Sequence, residues 1–88
     1  MSKLEAQVEI TLPYPYNKSV IKILELVNIW NFRIINLKTD CPIVSIGIDT
    51  LKFKKIFGSN PKKGEYEIPS GTEAFMEKVI VKEVIIRD

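Results

Sequence analysis

The residues best suited to nucleophilic chemistry are Cys41 and the adjacent pair Lys18 and Ser19. A nucleophile needs an activating base and a group that orients this base. The chain contains no histidine, and Asp40, the acidic neighbour of Cys41, does not favour a reactive thiolate. Ser19 is explained more simply as a helix cap. We therefore expect no catalytic residue and a protein that is not an enzyme.

Sites for metals, phosphates and nucleic acids are not indicated either. A lone cysteine without histidine supplies no pair of soft metal ligands, and four scattered glycines form no phosphate-binding loop. The polar positions of the first extended segment include Glu5 and Glu9 but no aromatic side chain, which argues against base stacking on an open sheet. The sequence predicts no metal, no cofactor and no nucleic-acid partner.

Length and composition allow a single domain over residues 1–88. Of the 88 residues, 45% are hydrophobic and 27% are charged, which is typical of a globular chain. No run of about 18 apolar residues is present, so we expect no membrane span. The first residues also lack the apolar core of a signal peptide, and the sequence does not indicate a compartment.

Hydrophobic periodicity predicts the elements of the first third of the chain. Apolar and polar residues alternate over residues 4–12, which predicts a strand with one buried face. Val20, Ile23 and Val27 then recur at helical spacing. They predict an amphipathic helix over residues 18–30.

Two extended segments follow, over residues 32–37 and 43–48, and their short link predicts a hairpin. Gly47 in the second segment indicates a bulge or a close backbone approach. A further short extended piece is expected over residues 66–68.

Local capping signals predict the remaining elements. Asp49 or the residue after it is expected to cap a helix over residues 51–57, which Gly58 would end. Residues 70–73, Ser-Gly-Thr-Glu, have the form of a capping box and predict one or two helical turns. The β-branched segment 79–87 predicts a closing strand.

The order strand, helix, strand, strand, helix, strand places the chain in the α+β class. We expect a ferredoxin-like βαββαβ fold, with a four-stranded antiparallel sheet and two helices on one face. Only one face of such a sheet needs to be covered. The other face would be available for binding.

Two segments favour a binding role. Tyr14 and Tyr16 alternate with prolines, so this rigid turn is either an exposed contact or a cover over the end of the core. The closing strand, if it lies at a sheet edge, could pair its backbone with an extended partner.

A series of features in the second half of the chain forms a recognisable pattern. They are the strand and turn at residues 44–49, Leu51, Phe53, the helix end Ile56-Phe57-Gly58, the pair Ile68-Pro69, and the valines Val79, Val81 and Val84. This pattern resembles the activation prodomains of subtilisin and sedolisin serine peptidases. The resemblance implies a ferredoxin-like fold and a non-enzymatic role as a folding chaperone and temporary inhibitor.

The same resemblance implies which residues would contact a peptidase. The open sheet face would dock through Glu5, Gln7 and Glu9, because carboxylates can cap helix N-termini of a partner. The C-terminal segment would enter the active-site cleft as an extended tail, which comprises Val84, Ile85, Ile86, Arg87 and Asp88.

Two alternatives remain open. An ACT-like domain has the same topology, binds small molecules at an interface and dimerises, so this hypothesis predicts a homo-oligomer. A structural subunit of a larger complex is the other alternative. Of these hypotheses we favour a module that binds another protein.

Overall fold

The computed structural model describes residues 3–87 of the chain. Within this range it contains two α-helices and a five-stranded antiparallel sheet, an α+β arrangement. The elements in chain order are β1 (Lys3–Thr11), α1 (Tyr16–Trp30), β2 (Arg33–Asn36), β3 (Ile43–Asp49), α2 (Thr50–Phe57), β4 (Gly64–Tyr66) and β5 (Lys78–Arg87).

The strand order is β2-β3-β1-β5-β4, with β1 in the centre. β1 pairs antiparallel with β3 on one side and with β5 on the other. The sequence predicted four strands, and the fifth is β4, which pairs with the start of β5. The extended piece expected over residues 66–68 lies two residues earlier, at Gly64–Tyr66, because a strand this short has no periodicity to define its bounds.

The core lies on the face of the sheet that alternation predicted. Every second residue of β1 from Ala6 to Ile10 is buried, and β3 and β5 contribute matching apolar residues. Both helices pack into this same core, α1 through Val20 and Ile23 and α2 through Phe53. The fully or almost fully buried strand residues are Ala6, Val8, Ile10, Val44, Ile46, Ile48, Val79 and Val81.

Helix α1 begins at Tyr16, two residues before the predicted start. Ser19 does not cap it, because its side chain is buried and its Oγ donates a hydrogen bond of 2.9 Å to the Pro13 carbonyl oxygen. The helix ends at Trp30, and the next residue, Asn31, caps it in a left-handed conformation with φ of 56°.

Helix α2 has the ends that the sequence predicted. The Asp49 carboxylate accepts a hydrogen bond of 2.9 Å from the Leu51 amide, which satisfies one of the free amides at the N-terminus. Gly58 ends the helix with φ of 85°.

The helical turns predicted after residue 70 are absent from the described chain. Residues 70–75 form turns instead, in which Phe75 N donates to Thr72 O over 3.1 Å. The Glu73 carboxylate accepts from Gly71 N at 2.8 Å, so it stabilises a local turn rather than a helix start. The capping-box prediction was therefore wrong, because the same side chain can serve either structure.

Candidate functional site

Much of β5 has a free edge. β4 pairs with β5 only from Val79 to Val81. The following part of β5 pairs with β1 on one side, where Glu83 faces Gln7 and Arg87 faces Lys3. Among residues 3–87, no strand pairs with the other side of residues 82–87. The backbone amides and carbonyls that point to this side are available to an extended partner.

Four exposed apolar side chains lie at the same end of the sheet as this free edge and form what we call the β1–β5 apolar cluster: Leu4, Leu51, Val84 and Ile86. Leu4 faces Ile86 in the pairing of β1 with β5. Leu4 and Leu51 line the same open concavity, with a volume of about 580 Å³, which charged residues such as Glu5, Arg33 and Lys52 also line. The exposed fractions are 50% for Leu4, 78% for Leu51 and 70% for Ile86.

The exposure of Leu4 differs from the expected burial of every apolar residue of β1. β3 ends at Asp49, which faces Glu5 across the sheet, and the chain turns there into α2. The first residues of β1 therefore extend past the last residue of β3. Leu4 therefore has no β3 residue beside it, whereas Ala6 faces Ile48 and Val8 faces Ile46.

An ion-pair cluster occupies the opposite face of the same end of the sheet. Arg33 donates to both Glu5 carboxylate oxygens, from Nη2 to Oε1 at 2.7 Å and from Nε to Oε2 at 3.2 Å. Arg87 Nη1 donates to Glu5 Oε2 at 3.4 Å. Glu5 is only 9% exposed, so pairing with two guanidinium groups compensates the burial of its charge.

The residues proposed from the sequence as a docking face occupy different environments. Gln7 and Glu9 are half-buried on the outer face of β1. Glu5 lies on the same face, but both of its carboxylate oxygens are already bound by arginines. A role for Glu5 as a cap on a partner helix would require these bonds to break.

The residues proposed as a C-terminal tail form a strand in this structure. Val84, Ile85, Ile86 and Arg87 all belong to β5 and pair with the first residues of β1. Asp88 lies outside the described residues. The tail segment and Glu5 are thus brought together in neighbouring strands, where Ile85 faces Glu5.

Sequence reasoning missed Arg33, Leu4 and Leu51 as members of this region. Arg33 lies between Phe32 and Ile34, and this alternation alone places it on the polar face of its strand. The sequence contains no signal that pairs it with Glu5, because the two residues are 28 positions apart in the chain.

The two tyrosines of the Tyr-Pro turn have different environments, one in contact with the core and one exposed to solvent. Tyr16 packs against the core, whereas Tyr14 is exposed. The two rings meet edge to face at 5.6 Å between centroids. Tyr16 therefore covers the end of the core, and Tyr14 remains accessible.

The remaining features of the described chain concern thiol chemistry, metal binding and membrane insertion. Cys41 is half-buried and unpaired. Residues 3–87 bring together no three side chains that could hold a metal ion, and neither helix in this range is long and apolar enough to cross a membrane. Comparison with protein-family models, curated proteins and solved structures gave no significant match.

Proposed function

We propose that this chain is a non-enzymatic protein-binding module that adds an extended segment of its partner to the free edge of β5. The observation that carries the proposal is that β4 pairs only with Val79 to Val81 of β5, which leaves residues 82–87 unpaired on one side. Strand addition uses backbone hydrogen bonds for affinity and side-chain contacts for specificity.

The side chains around the edge support an apolar partner segment. Val84 and Ile86 point to one face of β5, together with Leu4 of the neighbouring strand. An added strand would place every second side chain beside Val84 and Ile86, the β5 members of the β1–β5 apolar cluster. Covering these exposed groups is favourable by about 25 cal/mol for each Å² removed from water.

We also propose that the fold is ferredoxin-like, with one additional strand. The four longer strands follow the order β2-β3-β1-β5, with α1 between β1 and β2 and α2 between β3 and β5. This connection supports a ferredoxin-like fold to which β4 is added at the edge.

The narrower role is that of a prodomain-like inhibitor or chaperone of a subtilisin-like peptidase. It is supported by the sequence pattern that ends in Phe57-Gly58 and by the position of residues 84–87 at an open strand edge. Because these residues pair with β1, the β5 edge would meet the peptidase without detaching from the sheet.

The general proposal is tested with a phage-displayed library of twelve-residue peptides selected against the full chain. We expect selected peptides to slow amide hydrogen exchange within residues 82–87. Ile86→Lys should abolish their binding, because it places a charge in the apolar contact. The matched control, Ile35→Lys, changes an exposed isoleucine of β2 at the other sheet edge and should leave binding intact.

Protection confined to β2, or full binding by Ile86→Lys, would refute strand addition at β5. The narrower role is tested separately, by adding the chain at micromolar concentration to a panel of subtilisin-like peptidases. Peptide binding without inhibition of any peptidase would retain the binding module and reject the inhibitor.

A further inference from the structure

A groove of about 590 Å³ lies between the C-terminal end of α1 and helix α2. Its apolar lining comprises Ile29, Trp30, Ile56 and Pro69, and two lysines, Lys52 and Lys55, line it as well. Its volume is within the range of pockets that hold small ligands. We infer that this groove binds a fatty carboxylate as a monomer, with the alkyl chain between the helices and the carboxylate at the lysines. The inference does not depend on the proposed function.

The apolar lining continues towards the core. Trp30, Ile56 and Pro69 also line a small buried void of about 10 Å³, next to Phe57 and Met76. These three side chains therefore separate the open groove from the interior. A flexible alkyl chain can lie against them and meet apolar surface along its length.

Exposure within the groove favours an apolar occupant. Ile29 is 72% exposed, although it lies beside Trp30 and the groove. The buried apolar residues of α1 are Val20 and Ile23, which belong to the core. An occupant that covers Ile29 removes apolar surface from water without displacing any helix.

The charge of the groove selects an anionic head group. Lys52 Nζ donates to the Asn31 carbonyl oxygen at 3.4 Å, and no acidic residue lines the groove. The ion pairs found among residues 3–87 involve Lys22, Arg33 and Arg87 rather than these two lysines. Lys52 uses one of its three N–H donors on Asn31 and neither lysine belongs to these ion pairs, so both ammonium groups can donate to a carboxylate.

A monoanion suits this groove better than a phosphate. The last residues of α1 lie at the groove, and the partial negative charge of a helix C-terminus disfavours a doubly charged phosphate more than a singly charged carboxylate. The lining residues include no glycine-rich turn, whereas phosphate sites commonly use the backbone amides of such turns. Two lysines on an apolar groove therefore match one carboxylate on an aliphatic chain.

Trp30 provides a direct test because it is the single tryptophan of the chain. Dodecanoate is added to the full chain below its micelle concentration while Trp30 emission is recorded. We expect a saturable change in emission with a micromolar dissociation constant. Dodecanol should bind more weakly because it lacks the carboxylate, and acetate should not bind because it lacks the chain.

Paired variants separate the groove from the rest of α1. Ile29→Asp should weaken dodecanoate binding by about tenfold or more, because it places a carboxylate in the apolar contact. Its control is Ile21→Asp, at another exposed isoleucine of α1 that does not line the groove. Thermal melting of both variants checks that each one remains folded.

The lysines are tested in the same way. Lys52→Gln and Lys55→Gln should each weaken dodecanoate binding by about twofold to fivefold, as expected for exposed charge pairs. Lys54→Gln, on the same helix but outside the groove, should have no effect.

Three results would overturn the inference. One is the absence of a change in Trp30 emission together with the absence of calorimetric heat on adding dodecanoate. The second is equal binding of dodecanoate by the chain and by folded Ile29→Asp. The third is a dimer in sedimentation that Ile29→Asp converts to a monomer, since a second copy would then cover the groove.

Discussion

The Glu5 carboxylate occupies the space above Gly47 on the neighbouring strand. A Cβ atom at Gly47 would lie 2.5 Å from Glu5 Cδ, which is closer than carbon atoms approach without displacement. Gly47 faces Arg33 across the next strand pair. The missing side chain at Gly47 therefore allows Glu5 to reach across β3 to Arg33.

Gly47→Ala should destabilise the domain by about 1–3 kcal/mol, because the added methyl group displaces the buried carboxylate from its arginines. Urea unfolding measures this free energy. Ser45→Ala, on the same face of β3, serves as the control and should change the stability by less than about 0.5 kcal/mol.

The double variant Gly47→Ala with Glu5→Ala distinguishes this explanation from a general intolerance of Gly47 to substitution. Once Glu5 is shortened, the added methyl group has space, so the combined loss should be smaller than the sum of the single losses. Additive losses would show that the close approach of Glu5 is not the cause.

The two arginines that bind Glu5 should contribute unequally. Arg33 makes contacts of 2.7 and 3.2 Å with both oxygens, whereas Arg87 makes one contact of 3.4 Å. Both arginine side chains are 41% exposed, so solvent screens each pair. We expect Arg33→Ala to lower the free energy of unfolding by about 1 kcal/mol and Arg87→Ala by about half as much.

Urea unfolding at low and high salt tests this order. The loss caused by Arg33→Ala should shrink as salt increases, since screening weakens the pair that it removes. Lys82→Ala, at an exposed position of β5, is the control. A larger loss from Arg87→Ala than from Arg33→Ala would contradict the geometry.

Phe53 connects α2 to the sheet through an aromatic cluster. Its ring stacks on Phe57 at 4.3 Å and meets Tyr66 of β4 edge to face at 4.9 Å. Because Phe53 is fully buried, Phe53→Ala should destabilise the domain by about 3–5 kcal/mol. Leu51→Ala on the same helix should cost less than about 0.5 kcal/mol, since Leu51 is largely exposed.

Urea denaturation of both variants measures their free energies of unfolding. Amide hydrogen exchange shows which elements are destabilised. We expect faster exchange in β4 for Phe53→Ala, because Tyr66 loses its ring contact. Similar stabilities for the Phe53 and Leu51 variants would mean that the core does not include this cluster.

Gly58 ends α2 in a left-handed conformation, with φ of 85°. A Cβ atom there would meet no other atom within 4 Å, so the effect of a substitution comes from the backbone alone. Gly58→Ala should cost about 1–2 kcal/mol. Gly58→Asn should cost less than Gly58→Ala, because asparagine tolerates this conformation better.

Thermal unfolding of the two Gly58 variants tests their order. Ser59→Ala, in the exposed loop that follows, is the control for changes that do not affect the backbone. Equal stability of the alanine variant and the parent chain would show that the turn rearranges at no cost.

Several local features could be predicted because their causes lie within a few residues. Asp49 and Gly58 end α2 as expected, since each acts on backbone groups next to it. Local signals failed at residues 70–73, where the same serine-to-glutamate spacing stabilises a turn. The bounds of β4, a three-residue strand, were predicted two residues too late, since its stability depends on pairing with β5 rather than on its own sequence.

By itself, the sequence determined the strand, helix and core positions that follow from periodicity. The alternation in β1 and the helical spacing of Val20 and Ile23 decide which side chains face the interior, because both periods are properties of the backbone. Only the tertiary structure decided that Glu5 is buried between Arg33 and Arg87, which lie 28 and 82 positions away in the chain. It also decided the exposure of Leu4 and the free edge of β5, because strand register and the ends of neighbouring elements set which groups remain uncovered.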